Sequence, residues 1–282
     1  MDNAIEIQGL HKQFPGFALR DICFDVPKGH ICGFVGPNGA GKTTTLKLMM
    51  DMMRPDQGSI KLLGKPAGNA EVKQRISVMF DRPHYQESWT ALDIEKGLSP
   101  FYPLWNTSRF HRYLSDFDLD PQKKFKDFSR GMKMKLAMAV SLSHEAELLL
   151  LDEPTGGLDP VARVEILDIL QTYMLKENRT ILFSTHITSD LERIADLIVY
   201  ISKGEISFSG EKDALVAAYV VVRGSYLTDE KRTAAIGLRE HSAGFECLMK
   251  IDDIGGLSGD AVVEKASIDD VVVFMERESR HA

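Results

Sequence analysis

Short apolar runs and period-two alternation occupy residues 4–7, 19–26 and 31–35, with Pro15-Gly16 and Pro27-Lys28-Gly29 between them. A period of two bounded by turn formers predicts β-strands. From about Thr90 the period lengthens. Phe110, Tyr113, Leu114 and Phe117 recur at helical spacing, and Thr90 with Asp93 has the spacing of a capping box, so residues 90–142 read as a helical insertion. Strand-like runs return at 147–151, 180–184, 197–201 and 205–209, interleaved with amphipathic helical segments at 161–175 and 188–195. Such alternation predicts a largely parallel sheet. The composition shifts after about Glu211. There, strand candidates at 219–222, 245–249 and 261–264 surround a predicted helix near 229–240. Ser267 with Asp270 would cap a last helix to about Met275, although Val271 to Val273 suits a strand as well. There is no internal repeat and no low-complexity tract.

Composition narrows this picture. The 282 residues allow about two compact units. With 34 basic and 41 acidic residues, net −7, and a pI of about 5.7, the chain has no global positive field to draw it onto nucleic acid. Three widely spaced cysteines, Cys23, Cys32 and Cys247, form no CxxC, which excludes a disulfide framework or a zinc cluster and fits a reducing compartment. No apolar run approaches the ~18 residues that span a bilayer, and the N-terminus lacks the basic and apolar regions of a signal peptide. The expectation is a cytoplasmic chain whose membrane role, if any, comes through a partner.

Gly36-Pro37-Asn38-Gly39-Ala40-Gly41-Lys42-Thr43 matches G-x-x-x-x-G-K-[ST] and lies between the predicted strand 31–35 and a helix beginning near Lys42. Glycines let backbone N–H groups wrap phosphates, the helix N-terminus adds positive dipole, Lys42 reaches the β and γ phosphates, and the Thr43 hydroxyl suits Mg²⁺. A Gly-rich turn that binds nothing would not need those flanks. The apolar strand 147–151 ends in Asp152-Glu153. Alone, an apolar strand ending in acid is most simply a solvated strand end. Beside a phosphate loop, Asp152 is placed to hold Mg²⁺ and Glu153 to polarise an attacking water. Between the two motifs lies Phe128-Ser129-Arg130-Gly131-Met132, which on its residues alone reads as an ordinary helix N-cap.

The order of these pieces, followed by Gly157-Leu158-Asp159 and by Ser184-Thr185-His186, resembles the ATPase subunit of ABC transporters over about residues 3–210. The resemblance implies an α/β P-loop NTPase: a mostly parallel RecA-like core, an N-terminal antiparallel β subdomain and a helical insertion at about 84–145. Residues 1–210 would form the ATPase domain and 211–282 a small α+β accessory region. It assigns ATP to a Walker A loop at Gly36, Asn38, Gly39, Ala40, Gly41, Lys42, Thr43 and Thr44. It makes Ser129 and Gly131 the signature, and puts Mg²⁺ with Thr43, Asp152 and Asp81. It also makes Glu153 catalytic, Asp159 the D-loop acid, His186 the switch histidine, and Phe14 the aromatic against adenine. Two such subunits pack head to tail, so the signature helix N-terminus of one faces the γ-phosphate held by the other. The implied partners are a second ATPase subunit, identical or a paralogue, and a transmembrane permease that holds the chain on the inner face of the cell membrane, with no nucleic acid.

The chain also departs from that pattern. Where many members read Ser-Gly-Gly-Gln it has Ser129-Arg130-Gly131-Met132. Arg130 thereby adds positive charge on the outward side of the loop, and the strand at 75–80 ends in Asp81 where the family usually has the Q-loop glutamine. These features, with Phe101-Tyr102-Pro103-Leu104-Trp105 and the segment 266–271, are similar to ATPases of bacterial antibiotic-resistance and peptide exporters. The competing function is a soluble ABC ATPase of translation or DNA repair, whose relatives carry two ATPase units, a long coiled coil or zinc modules. A catalytically dead regulatory subunit is disfavoured by the presence of Lys42, Asp152, Glu153 and His186. Other features read structurally: Met49, Met50, Met52 and Met53 as adaptable core, Cys23 and Cys32 as small buried hydrophobes, and the basic stretch from Lys123 to Lys135 as a solvated face.

Overall fold

The computed structural model describes residues 2–257 and 260–281, with side chains through residue 278. In chain order the strands are β1 (Asn3–Phe14), β2 (Phe17–Pro27), β3 (Ile31–Val35), β4 (Gln57–Leu62), β5 (Lys65–Pro66), β6 (Ile76–Met79), β7 (Leu148–Asp152), β8 (Thr180–Thr185), β9 (Leu197–Ser202), β10 (Glu205–Glu211), β11 (Tyr219–Gly224), β12 (Ile236–His241), β13 (Gly244–Lys250) and β14 (Val262–Lys265). They form an antiparallel sheet β2-β1-β4-β5, a central sheet β10-β9-β3-β8-β7-β6 and an antiparallel sheet β12-β13-β11-β14. In the central sheet β9, β3, β8, β7 and β6 run parallel and β10 closes one edge antiparallel.

The two kinds of sheet follow from the two kinds of pattern. Every residue of β3, β7 and β8 is buried, as continuous apolar runs such as Leu148 to Leu151 require of strands covered on both faces. In β2 the burial alternates instead. Ile22, Phe24 and Val26 face the core, so Cys23 between them is exposed, contrary to its reading as a buried hydrophobe.

The helices are α1 (Lys42–Met49), α2 (Ala70–Lys73), α3 (Ala91–Leu98), α4 (Thr107–Asp116), α5 (Arg130–Leu142), α6 (Pro160–Met174), α7 (Thr188–Ile194), α8 (Lys212–Ala218), α9 (Asp229–Ala234) and α10 (Ile268–His281). The predicted capping box opens α3: the Asp93 amide donates to Thr90 Oγ1 at 3.1 Å and the Thr90 amide to Asp93 Oδ2 at 2.9 Å. Asn106 caps α4 and Ser129 caps α5. Phe110, Leu114, Phe117, Phe125 and Phe128 pack with Met134 and Leu136 into one core that continues onto the central sheet through Leu149 and Leu151. Met49, the last residue of α1, is buried and Met50 and Met53 pack on the core, but Met52 is exposed, so the methionine run is only partly core.

Residues 229–240 do not form the single helix expected. The helix stops at Ala234, and Ile236–His241 is a strand paired antiparallel to β13, Ile236 opposite Leu248 and His241 opposite Gly244. Gly237, at φ +60°, lies so close to the Phe274 carbonyl that no side chain fits there; sheet pairing and contact with α10 override the helical spacing. The last helix forms as capped but runs to His281, and burial of Ile268, Val271 and Phe274 at i, i+3, i+6 decides Val271 to Val273 for helix. These residues, with Leu215, Val221 and Leu248, share a core cluster with Phe183 and Tyr200 of the central sheet. Among the described residues no helix is long and apolar enough to cross a membrane.

Candidate functional site

The strand order places residues 36–41, Asp152-Glu153 and His186 together at the carboxyl ends of β3, β7 and β8, where open α/β sheets bind ligands. The loop after β3 is shaped by its glycines. A side chain at Gly36 would strike the Ile201 carbonyl of β9, and Gly39 (φ 80°) and Gly41 (φ 116°) occupy the left-handed region. Gly41 precedes α1, whose N-terminus is capped by no side chain among the described residues, so its amides and positive dipole end face the loop. Asn38 and Gly39 are exposed, Ala40 is buried, and Thr44 is half-buried one residue into the helix from Thr43.

Lys42 is 7% exposed. Its Nζ curls over the loop and donates to the Gly36 carbonyl at 2.6 Å and the Pro37 carbonyl at 3.2 Å. Burial pulls the ammonium pKa down, against the opposing charges of Glu153, Asp152 and Glu276. Thr43 Oγ1 donates to Asp152 Oδ2 at 2.6 Å, and Ser184 Oγ donates to Asp152 Oδ1, so a buried carboxylate is held by hydroxyls from α1 and β8.

Glu153 stands at φ +52°, a conformation that costs a non-glycine residue of order 1–3 kcal/mol and is found where the surroundings over-determine it. Its amide donates to the Ser184 carbonyl at 3.0 Å, and its Oε2 lies 2.7 Å from His186 Nδ1. Burial raises the Glu153 pKa, only partly offset by His186 and Lys42. The geometry gives a carboxylate inclined to hold a proton, in contact with an imidazole that is 57% exposed. Phe14 ends β1 with its ring stacked 6.4 Å from Phe17, which in turn packs against Gly41.

Of the other predicted residues, Ser129, Gly131 and Asp159 are not brought to this loop, whereas Asp81 is. Ser129, Gly131 and Asp159 line a separate groove of about 610 Å³ with Arg130, Met132, Gly157 and Leu158. Ser129 Oγ accepts from the Met132 amide at 3.3 Å, and Asp159 Oδ1 accepts from the Val161 and Ala162 amides, both at 3.0 Å, which hold its pKa below the usual range. Asp81 shares a groove of about 530 Å³ with Thr43 and Asp152, but its Oδ1 accepts from Arg130 Nη2 at 2.9 Å. Arg130 therefore turns back onto its own chain instead of pointing outward.

Sequence reasoning missed a buried network beside the site. Asp190, wholly buried, accepts from Thr155 Oγ1 at 2.6 Å and Arg163 Nε at 2.5 Å, while Arg163 Nη2 donates to Ser189 Oγ at 2.6 Å. This ties the turn after Glu153 and helix α6 to helix α7, which follows His186. Thr188 Oγ1 then donates to Asp269 Oδ1 of α10 at 2.8 Å, connecting the same segment to the C-terminal sheet unit. Neither link has a local spacing signature; only the fold brings 155, 163 and 190, or 188 and 269, together.

Comparison with known proteins agrees with this geometry. Residues 19–156 match the family model described as "ABC transporter". An uncharacterised ABC transporter ATP-binding protein of Nostoc sp. is 36% identical over 71% of this chain; the chain spans 62% of that protein's length. The lantibiotic transport ATP-binding protein SrtF of Streptococcus pyogenes is 34% identical over 74% of this chain and 91% of its own length. A solved structure of an ATP-binding subunit of an ABC transporter superposes with a TM-score of 0.69 at 28% identity, covering 75% of this chain and 91% of that one. The loop, the paired carboxylates, the fold and these relatives agree: the chain belongs to the family of ABC transporter ATP-binding proteins.

Proposed function

We propose that the chain binds and hydrolyses ATP as the energy-supplying subunit of a membrane transporter, working as a head-to-tail dimer. The observation that carries this reading is the division of the site into two grooves of one chain. Thr43 and Asp152 line one, with Lys42, Glu153 and His186 gathered at the same strand ends, and the α5 N-terminus with Ser129, Gly131 and Asp159 lines the other. Each groove is half of a phosphate site, and two copies facing each other complete two whole ones. Helix-end amides at 130–132 and at 42–44 would then bracket one anion from both sides.

The donor set suits Mg²⁺. The Thr43 hydroxyl and the Asp152 carboxylate already touch, and the described residues hold no cluster of three acidic or histidine ligands, as expected of an ion held largely by ATP oxygens and water. Bound there, Mg²⁺ would neutralise charge on the phosphates. Lys42 stabilises the phosphates by charge from a buried position, where such interactions are strongest. Glu153 accepts a proton from the attacking water, its raised pKa bringing it nearer to the working pH. His186, in contact with Glu153, orients that carboxylate and the γ-phosphate.

Residues 1–210 are proposed as the ATPase domain and 211–282 as an accessory region, with a transmembrane permease as partner at the inner face of the cell membrane. Transport of a lantibiotic-like peptide is the preferred reading because SrtF, which is named for lantibiotic transport, is 34% identical, and export is the direction we propose. The test is co-purification from membranes together with nucleotide binding. Wild type should bind a fluorescent ATP analogue and travel with a multi-span permease, and Lys42→Ala should lose at least tenfold in nucleotide affinity. Nucleic-acid-stimulated turnover in a chain found with no permease would replace transport by a soluble role.

A further inference from the structure

Asp81 and Arg130, two of this chain's departures from the family pattern, meet in space. Arg130 Nη2 donates to Asp81 Oδ1 at 2.9 Å across 49 residues of sequence. Taken singly, each charge is misplaced. Arg130 is the first residue of α5, a helix with no acidic residue in its first turn, and a cation there opposes the dipole. Asp81 puts a carboxylate in the groove that holds Thr43 and Asp152, where phosphates would be repelled. As a pair they neutralise one another. Among the described residues Arg82 is the other cation paired with Asp81, its Nε 4.0 Å from Oδ2.

The pair also spans a third segment. At Gly157, φ +73°, a Cβ would lie 3.0 Å from Arg130 Nε and 3.1 Å from Cζ, and at Gly156 it would lie 3.8 Å from Asp81 Oδ1. The guanidinium therefore lies against Gly157, and the Asp81 carboxylate lies near Gly156, in the turn that leads to Asp159. Three segments are tied at one point: the end of β6, the α5 N-terminus and the 156–159 turn.

We propose that Arg130 is a positioning residue which, through Asp81, fixes the α5 N-terminus against the 156–159 turn, and that Asp81 serves this ion pair in place of Mg²⁺. The role rests on the function proposed above, because the element positioned is the half-site offered to a partner subunit. With side chains 61% and 36% exposed, the pair is screened by solvent and holds only weakly. It is thus an adjustable tie between the groove beside β6 and the surface that meets the second copy.

The experiment uses the full chain with Arg130→Gln, Asp81→Asn, the double variant and Arg130→Lys. Two quantities are read: the ATP concentration giving half-maximal dimer in sedimentation, and the Mg²⁺ midpoint of turnover. Arg130→Gln, which leaves the Asp81 charge facing only the more distant and exposed Arg82, should raise the ATP requirement about 2- to 5-fold, the range of exposed ion pairs. Adding Asp81→Asn should recover part of that loss, Arg130→Lys should recover most of it, and the Mg²⁺ midpoint should stay in place. Additive losses in the double variant would overturn the proposal. So would a Mg²⁺ midpoint moved by Asp81→Asn alone, which would make Asp81 a metal residue. A wild-type chain that binds no fluorescent ATP analogue would overturn the function itself, whereas normal binding with additive variants would overturn only the role of the pair.

Discussion

Asp190→Ala isolates the buried network that sequence reasoning did not find. The substitution strips Thr155 Oγ1 of its acceptor in a residue that is 1% exposed, and leaving a buried hydroxyl unsatisfied costs about 1–3 kcal/mol. It also removes the counter-charge of Arg163, whose side chain is 25% exposed. Partial rehydration of that guanidinium keeps the total toward the low end of the ~3–5 kcal/mol usual for breaking a buried pair, so we expect about 3–4 kcal/mol. At about 2–4 °C per kcal/mol for a chain of this size, melting should fall by roughly 6–16 °C. Thr155→Val, which leaves Asp190 with Arg163, should cost only about 1 kcal/mol. Thermal denaturation by circular dichroism reads both, and phosphate release below the variant's melting range reads the functional consequence. Because the network anchors α7 behind His186, turnover should fall more than nucleotide affinity. An Asp190→Ala chain within 0.5 kcal/mol of wild type, or one that loses affinity and turnover equally, would refute the reasoning.

The loop glycines differ in what they can tolerate. Gly36→Ala drives a methyl into the Ile201 carbonyl and should abolish binding of a fluorescent ATP analogue, whereas Gly39→Ala meets open space, bears only the strain of φ 80° and should keep measurable binding. Burial raises the Glu153 pKa above its usual 4.5, so the acid limb of a turnover profile should lie above the ordinary carboxylate range. The same sign means that protonation of Glu153 favours the fold and its ionisation detracts as pH rises through the raised value. Glu153→Gln should therefore melt above wild type at pH 7. Glu145 runs the other way. Burial opposes its ionisation, but hydrogen bonds from Arg109 and Lys176 and the charge of Arg179 hold it at about 2. Its contribution, ~1–2 kcal/mol after discounting for a side chain that is 34% exposed, is present above pH 4.5 and lost toward pH 2. Glu145→Gln should flatten that part of a stability–pH curve.

The core of this fold was legible because its signals are local. Leu148 to Leu151 can only be a strand covered on both sides, Thr90 with Asp93 writes its own helix start, and the glycines of 36–41 announce a loop that backbone must approach closely. What failed was decided by distant partners. Residues 236–241 become a strand because β13 offers an edge and α10 presses on Gly237, neither of which is visible within the window that suggested a helix. Within the site, Lys42, Thr43, Asp152 and Glu153 were proposed from motif spacing, and the fold brings them together. Ser184, Arg163 and Asp190 were not, since a hydrogen-bond partner needs no periodicity. Arg130 and Asp81 were each visible as oddities, and only the structure shows them to be one feature.

The central claim, that two copies of this chain close over ATP and that Glu153 then takes the proton of the attacking water, meets its most direct test in one variant. Purified Glu153→Gln chain would be incubated with ATP and Mg²⁺ and its mass in solution measured by light scattering. The account predicts a stable ATP-bound dimer with phosphate release nearly abolished, returning to monomer when Ser129→Ala is added. A monomer under saturating ATP, or a Glu153→Gln chain that turns over like wild type, would contradict it.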